Sequence, residues 1–165
     1  MVVNIQGKLN QIAALLKTKV DNTKTSKIPN TGIVNKILKL SKSSQLKLNP
    51  TNDLESLELQ QWIEYINTYA AHIDSPQNAK TVLSELNEML SIKTYLVGYR
   101  LTIADILLFY VLKDTLVSLS NFEKEKYLNL CRWFDNLQHD DIFKQKHEVI
   151  DFSSNYLAVV VPSRH

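Results

Sequence analysis

The sequence has few of the residues that break helices, form disulfides or cross membranes. Its 165 residues include three Gly, four Pro and one Cys. Because Cys131 has no second thiol to pair with, an intramolecular disulfide is excluded, as is usual in a reducing compartment. The longest apolar run, 106–112, is far shorter than the ~20 residues of a membrane-spanning helix, and polar residues throughout 1–20 do not fit a signal peptide. We therefore expect a cytosolic protein, with the nucleus also open to it.

The chain also lacks a strong net charge. It carries 19 Lys and Arg against 17 Asp and Glu, a net charge of +2. This balance gives no electrostatic case for nucleic acid or an anionic membrane as the main partner. The first 50 residues are nevertheless rich in lysine, with no Arg or aromatic residue between the lysines: Lys17, Lys19, Lys24, Lys27, Lys36, Lys39, Lys42 and Lys47. We favour a solvated basic face, and docking of tRNA or elongation factors stays open as an alternative.

The scarcity of helix breakers favours a mainly α fold. Residues 4–19 have apolar side chains at helical spacing, at Ile5, Leu9, Ile12 and Leu16. A polar loop is expected at 21–27, and a short second helix at 31–40. The Lys- and Ser-rich stretch 39–52, which closes with Asn49-Pro50, is interpreted as a linker.

Stronger helix signals begin near residue 52. Asn52 or Thr51 can cap a helix that runs to about Ile73. Ser75-Pro76 then places an N-cap before a proline at the first helical position of the next helix. Two later helix starts carry a capping box, in which a hydroxyl side chain pairs with an acidic side chain three residues on: Thr102 with Asp105, and Ser120 with Glu123.

The helix that begins after Thr102 is the clearest element of the sequence. Its residues 106–112 are apolar on every side, which is typical of a buried central helix. The helix that begins after Ser120 is predicted to run to about His139, and a last helical stretch to cover about 141–149. Short strands are expected at most near 27–28 and within the apolar run 157–161.

Three segments carry a resemblance to a known family. The segment YLVGYRLTIADILLFY, 95–110, resembles the C-terminal domain of glutathione transferases, whose G-x-x-x-T-x-A-D pattern is matched by Gly98, Thr102, Ala104 and Asp105. The segments QQWIEY, 60–65, and EKEKYLNLCRWFDNLQH, 123–139, are similar to the transferase-like auxiliary proteins of the multi-aminoacyl-tRNA synthetase complex, of the elongation factor one epsilon type. This resemblance covers about 59–140 well and is weak before residue 50.

The resemblance implies a fold and a function. The fold is mainly α, with a reduced thioredoxin-like part at 1–48 and a helical domain at 53–165. The function is that of a non-catalytic scaffold that binds the transferase-like domains of methionyl-tRNA synthetase and glutamyl-prolyl-tRNA synthetase. In this family the second contact centres on an arginine of the seventh helix, which matches Arg132. Some members of the family also enter the nucleus.

Helical spacing places Arg132 in a stripe at the edge of the buried face, together with Leu128, Asp135 and His139. A guanidinium there could grip a partner carboxylate, and the alternative is an intrahelical pair with Asp135 worth about 0.2–0.5 kcal/mol. On the earlier helix around Trp62, broad apolar character is compatible either with deep burial or with an interface. Tyr65 and Tyr69 are the candidate exposed aromatics of such an interface.

The residues of a catalytic or metal site are missing from the pattern. A glutathione transferase needs a Tyr, Ser or Cys close to its N-terminus, and none precedes Ser26 here. The pair Asn30-Thr31 lacks the acid that would grip glutathione. Cys131 lies on a core stripe, Asp105 is explained by capping, and the histidines are scattered. We expect no enzyme activity, no cofactor and no metal, and a glutathione transferase is kept as the alternative.

Overall fold

The structure is a computed structural model that describes residues 4–16, 30–44, 46–73, 75–143 and 148–152. Within these ranges the chain forms α-helices and one short 3₁₀ helix, and no strand. The predicted mainly α fold is confirmed. The strands predicted near 27–28 and within 157–161 lie outside the described residues.

Seven α-helices and one 3₁₀ helix are found within the described ranges. In order they are α1 (Ile5–Leu15), α2 (Asn30–Ser43), α3 (Asp53–Thr68), the 3₁₀ helix Ala70–His72, α4 (Pro76–Met89), α5 (Ile103–Ser118), α6 (Asn121–Glu125) and α7 (Leu128–Gln138). The described parts of 1–48, α1 and α2, pack against α3 and α5 and share one hydrophobic core with the rest. Separate units at 1–48 and 53–165 stay a prediction.

Helix α5 is the centre of the molecule, as its sequence predicts. Every residue of 103–112 is at most 3% exposed. The helix contacts α1, α2, α3 and the 3₁₀ helix, and on another side the ring of Phe109 stacks on that of Phe134 in α7 at 4.3 Å. Neighbours on all sides explain why α5 has no polar face. No helix within the described ranges has the length and apolar character needed to cross a membrane.

The second helix extends beyond its predicted end. The linker predicted from residue 39 is wrong for 39–43, because α2 continues to Ser43. Leu40 and Ser41 are buried in this last turn, and the Ser41 hydroxyl donates to Asn49 Oδ1 at 2.9 Å. The Ser43 hydroxyl bonds the carbonyl of Leu40 at 3.1 Å. Burial of Leu40 and the bond from Ser41 to Asn49 stabilise a turn whose composition resembles a loop.

The helix predicted between Ser120 and His139 is broken in two. Helix α6 ends at Glu125 and α7 begins at Leu128. The break is stabilised from α4, because Asn87 Oδ1 accepts the N–H of Asn129 at 2.9 Å and that of Leu130 at 3.2 Å. Asn87 thus satisfies the first N–H groups of α7 as an N-cap supplied by another helix.

The prediction of a last helix at 141–149 is wrong for those residues of the range that the structure describes. Residues 141–143 form a turn, and 148–152 are neither helix nor strand. The Gln138 amide holds this segment, donating from Nε2 to the Ile150 carbonyl at 2.8 Å and accepting the Ile150 N–H at Oε1 at 3.0 Å. These bonds fix the backbone of Ile150 in a non-helical pairing.

Candidate protein-docking faces

On the outward side of helix α3, residues three or four positions apart lie in one stripe, because an α-helix has 3.6 residues per turn. The α4 residues beside it complete a surface that we call the α3–α4 face: Leu54, Leu57, Glu58, Gln61, Trp62, Tyr65, Tyr69, Glu85, Glu88 and Met89. A cavity of about 490 Å³ lies between the two helices on this face. Its lining combines aromatic rings with glutamate side chains.

Three aromatic rings stand in a row along the α3–α4 face. The Trp62 and Tyr65 rings meet edge-on at 5.7 Å, and the Tyr65 and Tyr69 rings lie 5.3 Å apart. The Tyr65 hydroxyl donates to Glu85 Oε2 at 2.8 Å, and burial together with this acceptor raises the pKa of Tyr65. Of the two aromatics expected to be exposed, Tyr69 is 58% exposed. Tyr65 is half-buried, because Glu85 and the neighbouring rings cover it.

Large apolar side chains near this row are open to solvent. Leu54 is 72% exposed, Leu57 59% and Met89 37%. Single exposed leucines are ordinary on protein surfaces, but several exposed apolar side chains along the same surface as the exposed ring of Tyr69 are typical of a protein interface.

Arg132 lies at a second candidate face, where α7 meets the loop after α4. The side chain is exposed, and its Nη2 donates to the Leu90 carbonyl at 2.6 Å and to the Lys93 carbonyl at 3.4 Å. Arg132 therefore satisfies a carbonyl at the C-terminal end of α4, where a cation is favoured by the helix dipole. Next to it a cavity of about 340 Å³ is lined by loop residues that include Ile92, which is 91% exposed. We call the surface formed by Arg132 and by the residues that line this cavity the Arg132 face.

The other residues of the predicted stripe accompany Arg132 on α7. Leu128 and Asp135 are half-buried, whereas His139 is exposed. The Asp135 carboxylate accepts a bond from Gln138 Nε2 at 2.8 Å and lies 3.3 Å from His139 Nδ1. The predicted alternative paired Asp135 with Arg132, and the hydrogen bonds of Arg132 go to the carbonyls of Leu90 and Lys93 instead.

Asp105 forms the buried polar centre that holds these helices in place. It is fully buried, and its Oδ2 accepts the Thr102 N–H at 3.0 Å and the Thr102 hydroxyl at 2.8 Å. Its Oδ1 accepts the Leu96 N–H at 2.9 Å and the Trp133 Nε1–H at 3.1 Å. One carboxylate thus caps α5, fixes the loop before it and anchors α7. Sequence reasoning found the capping pair but missed Leu96 and Trp133.

Burial raises the pKa of Asp105 above its usual value, and the four donated hydrogen bonds oppose that rise. A raised pKa can mark a catalytic acid, but each acceptor site here already has a donor within the protein. The second capping box lies at the surface. There Glu123 Oε2 accepts the N–H of Ser120 at 3.0 Å and its hydroxyl at 2.7 Å, which lowers the pKa of Glu123.

The thiol of Cys131 lies in the core rather than in a cleft. Its Sγ is 3.6 Å from the Lys124 carbonyl oxygen, and burial raises the pKa of Cys131 to about 11. A thiol with such a pKa is protonated at neutral pH and is a poor nucleophile. Across the described ranges, no three side chains of the metal-binding types are grouped closely enough to hold an ion.

Most of both faces, and the helices from most of α3 to α7, fall inside a match to a known family. Residues 56–141 match the Arc1p N-terminal-like family, whose description is "Nuclear-export cofactor Arc1p". The chain belongs to this family. The match includes most of the α3–α4 face, the capping box of α5 and all of α7.

Curated relatives agree with the family and with the resemblance read from the sequence. Over 103 residues the chain is 43% identical to human eukaryotic translation elongation factor 1 epsilon-1, an alignment that covers 62% of this chain and 59% of the relative. It is 34% identical over 111 residues to the bifunctional glutamate/proline–tRNA ligase of Cricetulus griseus, covering 67% of this chain and 7% of the ligase. The tRNA-aminoacylation cofactor arc1 of Schizosaccharomyces pombe is 24% identical over 134 residues, covering 81% of this chain and 27% of the cofactor.

A solved structure shows the fold. A glutathione S-transferase of class Gtt2 from Vibrio parahaemolyticus superimposes with a TM-score of 0.61 at 15% identity, covering 88% of this chain and 93% of that one. The predicted transferase-like fold is therefore confirmed. At this identity the likeness concerns the fold and not the chemistry.

Proposed function

We propose that this chain is a non-catalytic adaptor of the multi-tRNA synthetase complex, which holds transferase-like domains of synthetases together. The α3–α4 face carries the proposal, because it combines exposed leucines, a methionine and an aromatic row, most of which lie within the matched helical region. Sequences similar to more than half of this chain occur both in a short factor named for elongation and within a large tRNA ligase. A module found in both settings fits a docking role.

The Arg132 face supplies the second contact. Only Nη2 of Arg132 donates within the described part of the chain, so its remaining donors are available to an incoming carboxylate. Exposed Ile92 beside it offers an apolar anchor. The two faces are distinct surfaces, one on α3 and α4 and the other on α7 and the loop after α4, so the adaptor could hold two partners at once. By resemblance these are the transferase-like domains of methionyl-tRNA synthetase and glutamyl-prolyl-tRNA synthetase.

The absence of catalysis is part of the proposal. Two groups that often act in catalysis, a buried carboxylate and a thiol, have structural environments here. Asp105 is occupied by four protein donors, and the raised pKa of Cys131 keeps its thiol protonated.

The test is calorimetric titration of the full chain with each isolated synthetase domain and, separately, with glutathione. We expect binding to the domains and none to glutathione. Tyr69→Ala should weaken one domain and Arg132→Ala the other, by about tenfold or more each. Tyr99→Ala is the matched control, because Tyr99 is fully exposed and lies outside both faces. Glutathione binding without any domain binding would overturn the proposal.

A second candidate function rests on the charge of the N-terminal region. The first 50 residues contain nine Lys, one Asp and no Arg or Glu. Lys36, Lys39 and Lys42 lie on α2, and across the described ranges no ion pair is recorded for them. Such a face could dock the phosphate backbone of tRNA. Binding of tRNA that weakens steeply with salt and is lost in Lys39→Glu/Lys42→Glu would support it, and salt-independent or absent binding would reject it.

A further inference from the structure

The α3–α4 face carries more negative charge than an apolar docking surface requires. Glu58, Glu85 and Glu88 all line the cavity between α3 and α4. Among the described residues the cation recorded beside them is Lys93, whose Nζ lies 3.3 Å from Glu58 Oε1. The cavity is therefore an apolar and aromatic centre with an acidic rim.

We propose that this acidic rim selects a partner with a basic face and prevents two copies of the chain from pairing through their α3–α4 faces. The inference rests on the proposed function, since it specifies the chemistry of the partner that this face receives. The partner surface it fits has an apolar side chain at its centre and Lys or Arg residues around it.

Self-pairing is the alternative that the exposed apolar groups would otherwise favour. A two-fold symmetric contact places the same patch of both copies together. The three glutamates of one copy would then face the three of the other, with one Lys93 from each to offset them. Like charges brought together in a partly desolvated contact are strongly unfavourable, so the rim acts against homodimers while leaving the apolar centre intact.

A basic partner would use the same rim favourably. Glu85 is held in position, because its Oε2 accepts the Tyr65 hydroxyl at 2.8 Å. Glu88 lies one turn from Glu85 on α4, at the edge of the cavity next to Met89. Cations of a partner that reach these two carboxylates would steer association and set the register of the apolar contact.

The first arm of the test measures self-association by sedimentation equilibrium and needs no partner. The wild type should stay monomeric at concentrations at which Glu85→Gln/Glu88→Gln forms a dimer. The self-association constant of the variant should be at least about tenfold higher than that of the wild type. The control Glu125→Gln/Glu148→Gln removes two exposed carboxylates outside the face and should behave as the wild type. A wild type that dimerises as strongly as the rim variant would overturn the proposal.

The second arm measures binding to the synthetase domain whose affinity falls in Tyr69→Ala. Glu88→Lys should weaken that domain by about tenfold and reduce the salt dependence, whereas Glu125→Lys, with the same change in net charge, should alter binding less than about twofold. If Tyr69→Ala weakens binding and Glu88→Lys does not, the rim proposal fails while the adaptor proposal stands. If neither domain binds the wild type, the adaptor proposal fails and the first arm alone decides the rim.

Discussion

Replacing Asp105 by Asn tests whether one buried carboxylate holds α5, α7 and the preceding loop together. The change keeps the size of the side chain but turns one acceptor oxygen into an NH₂ group. If that group replaces Oδ1, it faces two N–H donors, from Leu96 and Trp133. If it replaces Oδ2, it faces the Thr102 N–H and a hydroxyl that can rotate to accept.

The second orientation is the less costly, and it leaves one buried N–H without an acceptor. An unsatisfied buried donor costs about 1–3 kcal/mol, so we expect Asp105→Asn to lower the free energy of unfolding by about that amount. Removing the buried charge offsets part of it. Asp105→Ala leaves the N–H groups of Thr102, Leu96 and Trp133 unsatisfied, and we expect a loss of about 3–5 kcal/mol. Capping alone, as read from the sequence, predicts only about 0.5–2 kcal/mol for this change.

The assay is urea unfolding followed by tryptophan fluorescence and circular dichroism, with Asp105→Asn and Asp105→Ala measured beside the wild type. A loss below about 1 kcal/mol in Asp105→Ala, or an Asn variant less stable than the Ala variant, would refute the four-bond account.

The pH dependence of the stability of the wild type and of Asp105→Asn checks the raised pKa of Asp105. A raised folded-state pKa means that the folded protein binds the proton more tightly than the unfolded chain does. This contribution to stability is complete below the unfolded pKa of about 3.9 and is lost as the pH rises through the folded value. The stability difference between the wild type and Asp105→Asn should therefore grow as the pH falls from neutrality toward about 4. A difference that shrinks on acidification would contradict the direction of the shift.

Three further predictions concern other positions. Asn87→Ala removes the acceptor at the start of α7 and should cost about 0.5–2 kcal/mol in urea unfolding, while Asn87→Asp keeps an acceptor and should cost less; equal losses would reject the capping role. Cys131 should react with a thiol reagent only when urea unfolds the protein, because its pKa is raised to about 11 and it is buried; fast labelling of the native protein would show an accessible thiolate. Because the pKa of Glu123 is lowered in the folded protein, its carboxylate stabilises the fold above the unfolded pKa, and this stabilisation is lost as the pH falls through the folded pKa. Glu123→Gln should therefore flatten the acid side of the plot of melting temperature against pH. An unchanged plot would argue against the exposed capping box.

Local sequence signals predicted the starts of α3, α4, α5 and α6 well. A capping box involves residues only three apart, so Thr102 with Asp105 and Ser120 with Glu123 could be identified without tertiary information. The apolar run 106–112 likewise predicted a buried helix, because a helix without a polar side must have neighbours all round.

Features that depend on residues distant in the chain could not be predicted. The break between α6 and α7 depends on Asn87 in α4, while the apolar spacing continues across the break. Likewise, the Trp133 bond to Asp105 and the Gln138 bonds to Ile150 are made only once the helices have packed. No local spacing encodes such contacts.

The candidate faces were predicted in part. Tyr69 was predicted to be exposed and is open to solvent, whereas the row that Tyr65 forms with Trp62 and Tyr69 was not predicted. The shielding of Tyr65 depends on Glu85, which belongs to another helix. The rim of glutamates appears only when α3 and α4 are placed side by side, because Glu58 is separated from Glu85 and Glu88 by the 3₁₀ helix and most of α4.

The most direct test of the account is whether the chain holds two synthetase domains at the same time. The full chain would be mixed with the transferase-like domains of methionyl- and glutamyl-prolyl-tRNA synthetase, and the mass of the complex measured by light scattering during size-exclusion chromatography. The account predicts one ternary complex, which loses one domain in Tyr69→Ala and the other in Arg132→Ala. Two domains that compete for the chain, so that only binary complexes form, would contradict the adaptor function.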